Sequence, residues 1–143
     1  MRLRLRRLRP DAIIPAYAHG SNEDAGMDLC AVESVTLEPG VAQLVPTGLT
    51  LEIPPGFEGQ VRPRSGLALR HAISMPNAPG TIDPGYRGEV RVILINLGRE
   101  PYTIHPGDRI AQLIVARYEA VEWEESDLAE STRGSGGFGS SGR

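Results

Sequence analysis

Leu3 and Leu5 alternate with Arg2, Arg4 and Arg6, a two-residue period that predicts an opening strand with one buried face. Pro10 and Asp11 end it before an amphipathic helix can form. Strand-like apolar stretches then recur at residues 41–45, 48–53, 58–62, 88–97, 102–104 and 110–118, with Gly- and Pro-bearing turns between them. Short strands at that spacing predict a sandwich or barrel. The one helix expected before the tail starts at Ser65, whose hydroxyl is expected to cap residues 66–70 for under two turns. The last stretch is Gly and Ser with Phe138 and two arginines, so it cannot bury a core. The expected organisation is therefore an all-β sandwich or barrel domain over residues 1–130 and a flexible arm over residues 131–143.

Composition sharpens this picture. A chain of 143 residues fits one core, and 17 Gly with 12 Pro argue against a helix bundle. A 40% hydrophobic and 23% charged content is that of an ordinary globular protein. No apolar run approaches membrane-spanning length or follows the first arginines as a signal peptide would, which leads to the expectation of a cytoplasmic protein with no membrane partner. A net charge of -3 gives no footprint for nucleic acid. Cys30 is the only cysteine, and His19, His71 and His105 are far apart, so zinc and dithiol chemistry are not indicated. All 15 basic residues are arginine, which excludes Schiff-base lysines and the P-loop lysine. Any bound phosphate must be held by Arg, backbone N–H groups, hydroxyls or a metal ion.

Chemistry-bearing residues crowd into five segments: residues 25–31 (AGMDLCA), 62–66 (RPRSG), 77–89 (NAPGTIDPGYRGE), 107–112 (GDRIAQ) and 133–142 (RGSGGFGSSG). Asp83 precedes Pro84-Gly85, a turn opening in which a carboxylate caps backbone N–H groups; held rigidly there, the same carboxylate can deprotonate a water. Tyr86 reads either as strand-edge packing or as a platform for a sugar ring. Asn77, between prolines 76 and 79, is a loop residue whose amide carries both donor and acceptor for a base edge. Arg64-Ser65-Gly66 is a helix start, and a helix start with a guanidinium and a hydroxyl is also an anion cradle. Gln112 lies in an apolar run, where its amide must be satisfied by backbone or by ligand. The tail matches G-x-G-x-x-G formally, yet it lacks the flanking strand and helix of a dinucleotide site. A segment that closes over an anionic ligand fits it better.

These five segments, in this order and over more than four-fifths of the chain, resemble the motifs of the trimeric dUTPase family, the deoxyuridine triphosphate nucleotidohydrolases. Pro84 after the aspartate and Ser141, where threonine is common, depart from the pattern without removing a side chain assigned to chemistry. The resemblance implies a distorted jelly-roll-like β-barrel forming a homotrimer, with active sites shared between subunits and one subunit's tail covering another's site. It implies hydrolysis of dUTP to dUMP and pyrophosphate, which limits uracil in DNA and supplies dUMP for dTMP synthesis. Asn77 and Gly80 would pair with uracil, and a narrow hairpin around residues 77–83, including Thr81 and Ile82, would leave no space for a thymine methyl. Tyr86 would lie under the deoxyribose. Arg64, Ser65, Gly66 and Gln112 would hold the phosphates, while Asp28 would support either a nearby arginine or the water shell of a nucleotide-borne Mg2+ that has no direct protein ligand. Arg133, Ser135 and Gly137 would meet the terminal phosphate, Phe138 would stack on uracil, and Asp83 would activate the water that attacks the α-phosphorus. Deoxycytidine triphosphate deaminases are similar in fold, but the Tyr86 surroundings and the Phe138 tail favour dUTPase; an intact Asp83 weighs against a purely non-catalytic binding protein.

Overall fold

The structure is a computed structural model and describes residues 1–142. Among them the strands are β1 (Arg4–Arg7), β2 (Met27–Cys30), β3 (Val35–Leu37), β4 (Ala42–Pro46), β5 (Leu49–Glu52), β6 (Phe57–Arg62), β7 (Ile73–Ser74), β8 (Gly80–Ile82), β9 (Arg91–Asn96), β10 (Tyr102–Ile104) and β11 (Arg109–Arg117). The helix α1 (Ser65–His71) follows β6. Pairing between these strands is antiparallel: a four-stranded sheet in the order β2-β11-β6-β8, a three-stranded sheet β4-β9-β7, and the pairs β1-β5 and β10-β3. The chain is all-β with one short helix, of the distorted jelly-roll-like kind. No helix is long and apolar enough to cross a membrane among the described residues.

Alternation builds the core. In β9, Val92, Leu94 and Asn96 point inward while Arg91, Ile93 and Ile95 face out, the two-residue period of a half-buried strand. Leu29, Leu37, Val45, Ile53, Ile73, Ile104, Ile110 and Leu113 join Val92 and Leu94 in one cluster. A smaller cluster of Ala12, Val32 and Leu49 is bridged to it by Leu5, the apolar face of the opening strand.

Three sequence expectations change. The expected strand over 88–97 starts only at Arg91, because residues 87–90 are bonded by the chain around β5: Thr50 Oγ1 donates to the Arg87 carbonyl, Thr47 Oγ1 donates to the Val90 carbonyl, and the Gly48 N–H donates to Glu89 Oε1. The segment ahead of Asp83 is not a hairpin, since β7 pairs with β9 and β8 with β6; it crosses from one sheet to the other and contains the cis peptide Ala78–Pro79. Ser65 does not cap the helix, because the helical turn starts one residue earlier and Arg64 occupies the cap with no side-chain hydrogen bond. The helix ends on the basic residues Arg70 and His71, of which the Arg70 cation suits its negative C-terminal end, and at Ala72, whose positive φ of 55° closes the turn.

One buried polar side chain ties the architecture together. Asn96 is fully buried; its Nδ2 donates to the Leu37 carbonyl at 2.9 Å and the Glu100 carbonyl at 2.8 Å, and its Oδ1 accepts from the Gly98 N–H at 2.8 Å. These bonds join the end of β9 to β3 and to the loop before β10. Asn96→Ala leaves those backbone groups unpaired and is expected to lower unfolding stability by about 2 to 3 kcal/mol in a denaturant titration, with the fold retained.

Candidate functional site

β11 is the longest strand, and it pairs with β2 on one side and β6 on the other. A register shift between Arg109 and Ala111 bulges the strand, so that Ile110 and Ala111 are both buried and Gln112 comes directly opposite Asp28 on β2 and Arg62 on β6. Asp28 receives Arg64 Nε at 3.2 Å on one oxygen and an Arg109 terminal nitrogen at 3.3 Å on the other. Arg64 also donates to the Arg109 carbonyl at 3.3 Å. One carboxylate thus orients two guanidinium groups at the end of β6, where α1 begins.

These residues open onto a concavity of about 200 Å³ lined by Asp28, Arg64, Ser65, Gly66, Arg109 and Gln112, with Ala18, His19, Asp24 and Gly26 completing the rim. Gln112 Nε2 donates to the Pro63 carbonyl at 3.4 Å. Gly26 faces the same amide so closely that a Cβ there would lie 2.6 Å from Gln112 Oε1. Two guanidiniums, a hydroxyl, an amide and the N–H groups of a helix start form a set that suits a polyanion.

A second concavity, of about 150 Å³, is lined by Asn77, Gly80, Thr81, Ile82, Asp83 and Tyr86 together with Val61, Met75, Glu89, Val90, Arg91 and Ile93. The Asp83-Pro84-Gly85-Tyr86 turn is closed by the backbone, with the Tyr86 N–H donating to the Asp83 carbonyl at 3.1 Å. The Asp83 carboxylate itself accepts no hydrogen bond among the described residues, so its lone pairs remain open to a ligand or water. Arg87 clamps the turn by donating to the Pro84 carbonyl at 2.6 Å and the Tyr86 carbonyl at 2.8 Å. Tyr86 donates its hydroxyl to the Glu89 carbonyl at 2.8 Å, and its ring lies over Gly88, where a Cβ would sit 2.6 Å from Cζ. Asn77 Nδ2 lies 3.1 Å from where a Gly80 Cβ would be, so the amide and the Gly80 backbone are neighbours.

The two concavities have no lining residue in common. Asp28 and Gly80 stand on opposite edge strands of the β2-β11-β6-β8 sheet, which at about 4.8 Å per strand places those edges about 14 Å apart. The residues singled out in the sequence are therefore gathered in two sets within one chain. The third set, on the arm, stays by itself: the hydrogen bonds of residues 131–142 run within the arm, including Arg133 Nε to the Gly136 carbonyl at 2.8 Å. Arg133 and Gly137 line a concavity made by arm residues only; Ser135 and Phe138 do not line it, and Phe138 is fully exposed.

Sequence reasoning assigned no role to Arg109, His19 or Asp24. Arg109 stood inside a quoted motif, and its ion pair with Asp28 depends on the β2–β11 pairing across 81 residues. His19 and Asp24 carried no recognisable spacing. Among the described residues no group of three or more His, Cys, Asp or Glu is placed to hold a metal ion.

A family model described as dUTPase matches residues 12–142. The chain is 77% identical over 143 residues to a deoxyuridine 5'-triphosphate nucleotidohydrolase of Solibacter usitatus, covering 100% of this chain and 97% of that relative. It is 59% identical to a protein of the same description from Anaeromyxobacter sp., covering 94% of this chain and 90% of that one. Among solved structures, a variant dUTPase of Staphylococcus bacteriophage 80alpha with dUpNHpp superposes with a TM-score of 0.87 at 27% identity, covering 99% of each chain. A variant dUTPase of phage phi11 of S. aureus, solved with a structural Mg(II) ion, superposes with a TM-score of 0.83 at 25% identity, covering 92% of this chain and 100% of that one.

The loop that carries His19 also gives a titration signature. The Asp24 carboxyl is held below its ordinary value of 3.8, first by the His19 backbone N–H and then by the His19 ring. A depressed native value stabilises the fold fully above the unfolded carboxylate range, and the contribution fades as pH falls through the native value. Asp24→Asn is therefore expected to lower the thermal midpoint at neutral pH, with the gap from the parent chain closing below about pH 4 in scanning calorimetry.

Proposed function

The chain belongs to the dUTPase family and hydrolyses dUTP to dUMP, and we propose that it does so at a composite site whose parts come from neighbouring copies of a homotrimer. The observation that carries this reading is the separation of base-type groups around Asn77 and Asp83 from phosphate-type groups around Arg64 and Gln112, in concavities that share no residue. Exposed apolar surface supports self-assembly. On the outer face of the β4-β9-β7 sheet, Leu44 pairs directly with Ile93 and Ala42 with Ile95, Leu44 is 49% exposed, and Ile93 also lines the Asp83 concavity. Beyond β11, Val121, Trp123 and Leu128 are exposed along a segment without strand or helix, which suits a connector that finds its cover on another copy.

In this reading Asn77 and the Gly80 backbone pair with the uracil edge, and the wall formed by Thr81 and Ile82 leaves no room for a 5-methyl group. Tyr86, pinned by Gly88 and its bond to Glu89, supports the deoxyribose and disfavours a 2′-hydroxyl. Arg64, Ser65, the Gly66 N–H and Gln112 hold the phosphate chain. Arg133, Ser135 and Gly137 of an arm close on its end, with Phe138 stacked on the base.

Asp83 accepts a proton from a water as that water's oxygen bonds to the α-phosphorus; the bond from the α-phosphorus to the bridging oxygen breaks, and pyrophosphate leaves. No protein nucleophile is required, because the work is positioning and neutralisation of charge. The donor set fits a magnesium ion brought by the nucleotide rather than one caged by protein: both Asp28 oxygens already face arginines, leaving that carboxylate to meet the ion's water shell. The ion supplies charge neutralisation along the phosphates.

Asp83→Asn is expected to lower kcat for dUTP by about 10²- to 10⁴-fold while dUpNHpp still binds, measured by pyrophosphate release and calorimetry. Unchanged turnover removes Asp83 from the mechanism. A chain lacking residues 131–143 is expected to remain a folded trimer by light scattering with little activity, since among the described residues the hydrogen bonds of 131–142 run within the arm; loss of folding contradicts that placement.

A further inference from the structure

His19 is a titratable group on the phosphate-side concavity that the motifs leave without a role. Its loop is folded back by the N–H groups of Glu23 and Asp24, which donate to the Gly20 carbonyl at 3.1 and 3.0 Å. Asp24 then accepts the His19 N–H at 2.6 Å and faces ring Nδ1 at 3.2 Å from each carboxylate oxygen. An anionic acceptor at Nδ1 keeps the proton there, so in the neutral ring Nε2 carries only a lone pair. The side chain is 73% exposed and lines the concavity with Arg64, Ser65 and Gly66, so the ring is accessible to a ligand there.

The charges facing it come from every element around the concavity: Asp24 on its own loop, Asp28 on β2, Arg64 ahead of α1 and Arg109 on β11. Two carboxylates and two guanidiniums cancel formally, and both guanidiniums are engaged by Asp28. The sign of the concavity's net charge is therefore decided by His19. A neutral ring presents an acceptor lone pair to an acceptor-only phosphate, whereas protonation turns that position into a charge-assisted donor. Asp24 stays ionised through the range in which histidine titrates, because the His19 N–H and ring hold its carboxyl low.

We infer that His19 is a binding residue for the polyphosphate of the nucleotide: oriented by Asp24, its protonated ring donates from Nε2 to a phosphate oxygen and tightens binding as the pH falls. This rests on the assignment of the Arg64–Gln112 concavity to the phosphates. The pair acts as a unit, with Asp24 in the positioning role and His19 in contact with the ligand.

The test is dUpNHpp binding by calorimetry from about pH 8 to pH 5.5, across the ordinary histidine range, in the parent full-length protein, His19→Gln and His19→Arg. Binding by the parent should tighten about two- to fivefold on acidification, the scale of one exposed charged contact. His19→Gln should lose that slope, and His19→Arg should bind at high pH as tightly as the parent does at low pH. An equal slope in His19→Gln and the parent, or a His19→Arg variant no tighter at high pH than the parent, overturns the inference. Pyrophosphate release from dUTP by the parent is read alongside: its absence refutes the proposed function, whereas its presence with an unaltered slope refutes only the role of His19.

Discussion

The pairing of β11 between β2 and β6 is the constraint on which the site depends. It aligns Asp28, Gln112 and Arg62 in one row across three strands, and the bulge after Arg109 sets which side chains of that row face the concavity. Asp28 then does with one carboxylate what a separate scaffold would otherwise require: it holds Arg64 and Arg109 side by side at the helix start. Removing one partner of such a half-buried set leaves charge uncompensated, so the two arginines are positioned as a unit with it.

A chain without lysine must bind a triphosphate by other means, and on the proposed reading the Arg64 side uses what remains: planar guanidiniums, a hydroxyl, an amide and backbone N–H groups. The base side is built differently. There, backbone-closed turns hold Asn77, Asp83 and Tyr86 while leaving the Asp83 carboxylate open, which is compatible with the proposed role of a base acting on water. On this reading the division of labour also accounts for the arm, whose hydrogen bonds among the described residues run within residues 131–142.

Much of the fold was legible from apolar patterning, because β1, β4, β5, β6, β10 and β11 each carry apolar residues within a short stretch bounded by turn residues, and β6 alternates buried with less buried positions. β3, β7 and β8 were not, since two or three residues carry no period, and β2 was masked by Asp28, a charged residue whose place in a strand is justified only by arginines that come from elsewhere in the chain. The start of β9 was misjudged because Thr47 and Thr50 bond backbone that apolar patterning assigned to a ladder. The motif residues were readable as a set; their division into two concavities, and the company of His19 and Arg109, are products of pairing between distant strands.

The central claim is that the Asp83 side and the Arg64 side of a working site belong to different copies. The most direct measurement mixes two inactive full-length variants, Asp83→Asn and Arg64→Ala, under conditions that let copies exchange, and follows pyrophosphate release from dUTP. If sites are shared, random mixing restores both intact sides at roughly a quarter of the positions of a symmetric assembly, and activity reappears. If one chain supplies both sides, every site keeps a defect and the mixture stays as inactive as its components.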